Sequence, residues 1–292
     1  MTATDNSPFI DAVSSTPVRR ARRRWPSIIL RLAGGPLGVL ALVAAAGAAY
    51  EAIAGVGDAS AYPPAGRLVD VGGYKLHLDC RGEASPTVVL EAGLGASSLD
   101  WALVQPELAR TTRVCSYDRA GMGWSEPGPA PRSPAHIADE LHQLLQNGGV
   151  AGPYILVGHS QGGKTIRMFA EAYPSEVAGM VLVDARSERV ESPADMAGFA
   201  QALEGQAMQY SLARRFGIAR LFGAGLIGEP LVPAALATEM VLAQTQPTAI
   251  AETTAEGLAR SVDNEVLAST KLGSLPLVVV AAGDTMRNLP SW

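Results

Sequence analysis

The sequence predicts an α/β fold: a mostly parallel twisted sheet with helices on both faces, a helical cap inserted late, and a transmembrane helix in front. Three observations point there. From Arg67 onward, short runs rich in Val, Leu and Ile alternate with segments of helical periodicity, the pattern of strands covered on both sides. From about residue 191 to 267 the strands stop, and the chain becomes helix-prone and rich in Ala, Leu and Met. Near the N-terminus an uncharged stretch, Leu32 to Tyr50, follows a cluster of arginines and is about long enough to cross a bilayer as a helix.

Taken in order, residues 1–24 are polar and basic and read as a disordered cytoplasmic tail. Residues 25–54 form the anchor. Arginines before an apolar span place the N-terminus in the cytoplasm and everything after it outside. Gly34, Gly35 and Pro36 predict a kink there. Ala44, Ala46 and Ala48 also offer small-residue cleavage sites, so a secreted product after signal removal is the alternative. A small-residue linker covers 55–66. The core comprises 67–190 and 268–292, and the cap 191–267. Within the core, Arg67–Val71 and Tyr74–Cys80 read as a hairpin across Gly72-Gly73. Thr87–Leu90, Val114–Tyr117, Tyr154–Val157, Met180–Val183 and Leu277–Val280 read as buried strands, and Ile137–Leu145 has helical spacing.

Charge narrows the function. The chain's net charge is -5, but six arginines and only two acids precede Leu32, leaving 17 basic against 26 acidic residues in the remainder. A body at -9 repels phosphate backbones, which argues against nucleic acid as a partner. The two cysteines, Cys80 and Cys115, suit an exported body that could oxidise them. No Cys/His set has zinc spacing, so neither metal nor organic cofactor is expected. The oligomeric state is open.

The sharpest chemical signal is Gly158-His159-Ser160-Gln161-Gly162. A strand precedes it and a helical pattern, Lys164 to Tyr173, follows at once. A strand turning directly into a helix strains the central residue and lifts its hydroxyl clear, while glycines two positions away let the chains pass. Ser160 is therefore the candidate nucleophile. The N–H of Gln161 is one candidate oxyanion donor. Gly93-Leu94-Gly95 follows an earlier strand, and Leu94 is the candidate second donor.

Three segments occur in order: Glu91-Ala92-Gly93-Leu94-Gly95, Tyr117-Asp118-Arg119-Ala120-Gly121-Met122-Gly123-Trp124-Ser125, and Gly158-His159-Ser160-Gln161-Gly162-Gly163. Together they resemble the α/β-hydrolase family, specifically its esterase and lipase-like branch, from about Arg67 to the end of the chain. The resemblance implies an antiparallel second strand, a helical cap after the sixth strand, and ester hydrolysis through an acyl-enzyme. It also implies that the second and fourth strands are neighbours, which makes a Cys80–Cys115 disulfide possible.

The family order is Ser, then Asp or Glu, then His. The acid is either Asp284, after the seventh strand, or Asp184, closing the sixth. The histidine should follow, yet the four histidines are His77, His136, His142 and His159. His77 reads as facing a strand neighbour or solvent, His136 and His142 as surface residues. His159 adjoins the nucleophile but is expected to point away from the base position. The expectation is thus a serine hydrolase of small hydrophobic esters, truncated before its histidine and impaired. The alternatives are a catalytically dead, membrane-anchored acyl-ligand scaffold and an acyltransferase. Haloalkane dehalogenases and epoxide hydrolases want an aspartate where Ser160 stands.

Overall fold

The computed structural model describes residues 25–187, 192–226 and 232–281. A long helix, α1 (Trp25–Gly55), and a single turn, α2 (Asp58–Ala61), precede the sheet. The core then runs β1 (Arg67–Asp70), β2 (Lys75–Arg81), β3 (Thr87–Glu91), α3 (Gln105–Leu108), β4 (Val114–Tyr117), α4 (Pro134–Asn147), β5 (Tyr154–His159), α5 (Gly162–Ala172) and β6 (Val177–Val183). Five helices follow: α6 (Pro193–Arg215), α7 (Ile218–Leu226), α8 (Ala234–Gln244), α9 (Pro247–Ala259) and α10 (Asn264–Ser269). The chain returns to the sheet as β7 (Leu277–Val280). It divides into two compact units, Met1–Ala44 and Ala45–Trp292. The sheet, cap and last turns of α1 all belong to the second.

α1 is assigned as helix from Trp25 to Gly55, continuous through Gly34-Gly35-Pro36, where the sequence predicts a kink. A proline removes only its own N–H and crowds one carbonyl, so the flanking turns can carry the helix past it. Leu37–Gly55 is the one described helix long and apolar enough to cross a membrane.

The seven strands lie in the order β1-β2-β4-β3-β5-β6-β7. β2 is antiparallel to both β1 and β4, and the other pairings are parallel. The hairpin closes because the Asp70 carboxylate accepts from the Gly72 and Gly73 N–H groups, at 2.8 and 3.2 Å. Both glycines sit near φ 110°, a conformation that a side chain would resist. Register sets Cys80 opposite Cys115, and their sulfurs are bonded.

Alternation along each strand divides the core. Val89, Cys115 and Leu156 pack with Leu141, Leu144, Ile166 and Phe169 of α4 and α5 on one face. Val88, Leu90, Val114 and Val157 pack against Trp101 on the other. From β3 the chain steps to β4 on one side and later to β5 on the other. That reversal opens a crevice at the strands' C-terminal ends, where open α/β sheets bind ligands.

Of the two placements the sequence left open for His77 in β2, against a neighbour or at solvent, the structure shows the buried one. Its Nδ1 lies 2.9 Å from the Asp118 carboxylate, and its Nε2 meets the Ala65 carbonyl. Acceptors at both ring nitrogens favour the doubly protonated ring. Burial pulls the His77 pKa down, but Asp118 and the Ala65 carbonyl outweigh it, so the net shift is upward from 6.5. A raised folded-state pKa adds stability that is complete below about 6.5 and is lost as pH rises through the folded value. His77→Gln should therefore lower Tm by several degrees at pH 6 (about 2–4 °C per kcal/mol) and by less at pH 8.5. A Tm deficit constant across that range would contradict the ion pair.

Candidate active site

Among the described residues, only Ser160 and Asp184 are non-glycine residues with positive φ, at 50° and 43°. Such strain persists only where the surroundings enforce it. At Ser160 they do: its N–H donates to Val183 at 3.1 Å, and its carbonyl accepts from Gly163 and Arg186 at 3.1 and 3.0 Å. The turn is possible only with glycine beside it. A Cβ on Gly158 would lie 2.8 Å from the Gly162 carbonyl oxygen, and one on Gly162 would lie 2.5 Å from that of Ala92. Ser160 thus stands at the C-terminal edge of the sheet, before the positive end of α5.

The predicted oxyanion loop comes to it. A Cβ built on Gly93 would sit 3.4 Å from the Ser160 Cβ. Gly93, Leu94, Gly95, His159 and Ser160 line a cavity of about 270 Å³. Its far wall is the cap: Leu203, Gln206, Ala207 and Tyr210 of α6, and Ile250, Thr253 and Thr254 of α9. Among the described residues, neither the Leu94 nor the Gln161 N–H donates to a backbone carbonyl. Leu94 lines the cavity, whereas Gln161 does not.

The two acids fare differently. Asp184 ends β6 with its N–H donating to Val280 at 2.7 Å, but it does not line the cavity. Asp284 lies outside the described residues. Three histidines are held elsewhere. His77 pairs with Asp118, His136 lies 3.4 Å from Glu140, and His142 lies 3.1 Å from Glu176 while stacking on Tyr173. His159 lines the cavity as well. Its ring packs against Gly93, with Nδ1 3.0 Å from where a Gly93 Cβ would be.

What braces the Gly93-Leu94-Gly95 loop is not legible in the sequence. Buried Arg119 donates to the Glu91 carboxylate at 2.6 Å, to the Ala92 carbonyl at 2.9 Å and to the Gly93 carbonyl at 2.7 Å. Its Nε reaches Glu256 of the cap at 2.9 Å. Burial pushes the Glu91 carboxyl up, and Arg119 offsets only part of that, so it stays above the usual carboxylate range. Beside this pair, Arg132 joins Glu140 at 2.6 Å and Glu252 of α9 at 3.1 Å. Buried Lys164 of α5 donates to the Arg260 carbonyl and to Asn264, at 3.0 and 2.9 Å. Charge therefore fastens the cap to the core from both sides of the elbow. The segment containing Arg119 carries the family resemblance, but Glu256 stands 137 residues further on, at no interval that a pattern could reveal.

A family model described as the alpha/beta hydrolase fold matches residues 86–220. An AB hydrolase superfamily protein of Gibberella zeae is 36% identical over 108 residues, 36% of this chain and 34% of that one. An uncharacterized vacuolar membrane protein of Saccharomyces cerevisiae is 30% identical over 135 residues, 40% of this chain and 21% of that one. Matches to four relatives of this kind span 16% to 41% of their lengths. Among solved structures, the epoxide hydrolase CorEH superposes with a TM-score of 0.59 at 20% identity, covering 73% of this chain and 80% of that one. At that identity the likeness is one of fold. Matched segment, sheet order and elbow agree: residues 86–220 match the α/β-hydrolase fold family, and the strand order around them is that of an α/β-hydrolase fold.

Proposed function

We propose that this chain is a serine hydrolase that cleaves carboxylic esters through an acyl-enzyme. The observation that carries the reading is Ser160, strained at φ 50° and set in a cavity wall beside Gly93-Leu94-Gly95. In this reading the Ser160 oxygen attacks the ester carbonyl, and the Leu94 and Gln161 N–H groups receive the developing oxyanion. The alcohol leaves with a proton, and water then releases the acid. Asp284 or Asp184 is the acid that would orient an imidazole. None of the four histidines follows either acid in the sequence, so the reaction is impaired and free imidazole is the base in the test below. The cavity, just under the 300 Å³ where typical ligand pockets begin, suits a small acyl or alkyl group against Leu203, Ala207 and Ile250.

The same reading sets the protein in a membrane through the apolar helix. The cytoplasmic N-terminus carries the arginines, and the sheet and cap lie on the outer side. The apolar stretch Leu37–Gly55 supports an anchor, and the arginine cluster before it supports the orientation.

The test is covalent. The full chain, incubated with a fluorophosphonate in imidazole-containing buffer, should gain one phosphonyl group on the peptide carrying Ser160. The Ser160→Ala variant should gain none. Labelling at another residue, or equal labelling of the variant, would overturn the assignment.

A further inference from the structure

The last turns of α1 are clamped to the cap by four charges. Glu51 lies 2.5 Å from Arg214 and 2.9 Å from Arg220, and Asp58 lies 3.0 and 2.7 Å from the same two arginines. Two carboxylates against two guanidiniums leave no net charge, which suits a region of low dielectric. The backbones also touch. A Cβ on Gly47 would collide with the Phe216 carbonyl oxygen, and one on Gly217 would sit 3.1 Å from the Tyr50 ring. Gly47, Tyr50 and Glu51 all fall inside Leu37–Gly55, the stretch apolar enough to cross a membrane. The α6–α7 corner is thus fastened alongside the foot of that span.

α7 has two faces. Ala219 is fully buried in a cluster with Val241, and Gly223 packs against the same valine. Away from Val241, large apolar side chains turn outward: Ile218 is 41% exposed, Leu221 59%, and Phe222, where the helix breaks at φ -129°, 66%. Water disfavours such a patch, which marks a surface meant for an apolar partner. The neighbour it is fastened to says which partner. Ile53, on the last turn of the same apolar helix, is 76% exposed, and the medium that covers an apolar span is lipid.

We infer that the outer face of α7, Ile218, Leu221 and Phe222, is a lipid-binding surface seated at the headgroup–acyl boundary of the membrane that the apolar helix enters. The inference rests on the anchor reading above. A short amphipathic helix held in the interface plane by an adjoining span needs little affinity of its own, because the span supplies the local concentration. Two residues separate α7 from α6, whose Tyr210 and Leu203 wall the Ser160 cavity. The cap side of that cavity therefore lies close to lipid.

The experiment uses the full chain in vesicles of phosphatidylcholine and phosphatidylglycerol. With Cys80 and Cys115 bonded to each other, a maleimide fluorophore reports single positions introduced as Leu221→Cys, Leu40→Cys and Leu103→Cys. Leu103 is an exposed core residue beside α3. Blue-shifted emission quenched by doxyl-labelled lipid is expected at 221 and 40, and neither effect at 103. Lipid-like emission at 40 with water-like emission at 221 would overturn the surface alone. Water-like emission at both would overturn the anchor and the surface with it. A blue shift at 221 that doxyl lipid cannot quench means a second copy covers the face, which also overturns the proposal.

Discussion

Ester turnover by the 292-residue chain is expected to rise by roughly 10²-fold or more with added imidazole, and Ser160→Ala is expected to abolish that rise. The reason is where the histidines are. His77, His136 and His142 are committed to Asp118, Glu140 and Glu176, and the His159 ring packs against Gly93. None of the four is placed to take the serine proton from the side of Asp184 and β7. A positioned general base contributes on the order of 10² to 10⁴ in rate, and free imidazole can restore part of that. Oxyanion donors alone support roughly 10³ over water, so a low serine-dependent rate should precede the addition. The measurement is kcat/KM for p-nitrophenyl butyrate across an imidazole series, in the parent chain, Ser160→Ala and His159→Ala. A high imidazole-independent rate lost in both variants would make His159 the base, and this account would be wrong.

Arg119→Met is expected to destabilise the folded chain by about 3–5 kcal/mol, because removing one partner leaves the other's charge buried and uncompensated. Two carboxylates, Glu91 and Glu256, lose their guanidinium, and two carbonyls of the oxyanion loop lose a donor. In a domain of this size that is a fall in Tm of roughly 10 °C. Arg119→Lys should fall between, since an ammonium lacks the planar fork that reaches four acceptors at once. Urea denaturation of the detergent-solubilised chain measures both. A loss under about 1 kcal/mol for Arg119→Met would show that the network is not what holds cap to core.

Most of the sheet was legible without coordinates. Val114–Tyr117 and Leu277–Val280 are strands at the predicted ends, and Thr87–Leu90 and Tyr154–Val157 differ only by one or two residues. The elbow was legible too, because a strand meeting a helix at Gly-x-Ser-x-Gly leaves the backbone few conformations. These features are local. A strand declares itself over i and i+2, a helix over i and i+4, and a tight turn through the glycines beside it.

At Gly34-Gly35-Pro36, propensity marks where α1 is weak without deciding whether its neighbours hold it. The sequence left His77 open between a neighbour and solvent because two-residue alternation assigns a face but cannot say what covers that face. Contacts such as Arg119 to Glu256 and Arg220 to Glu51 join residues 137 and 169 apart. Nothing periodic connects such positions. They meet because five cap helices fold back over the strand ends, and the free energy of a buried charge pair exists only once both partners have left water. The sequence by itself determined the α/β order of elements and the place of Ser160. Only the tertiary structure decided which charges brace the Gly93-Leu94-Gly95 loop, which histidines stand apart from the serine, and where the cap meets the foot of the apolar helix. Those depend on distances that chain packing sets and local pattern does not encode.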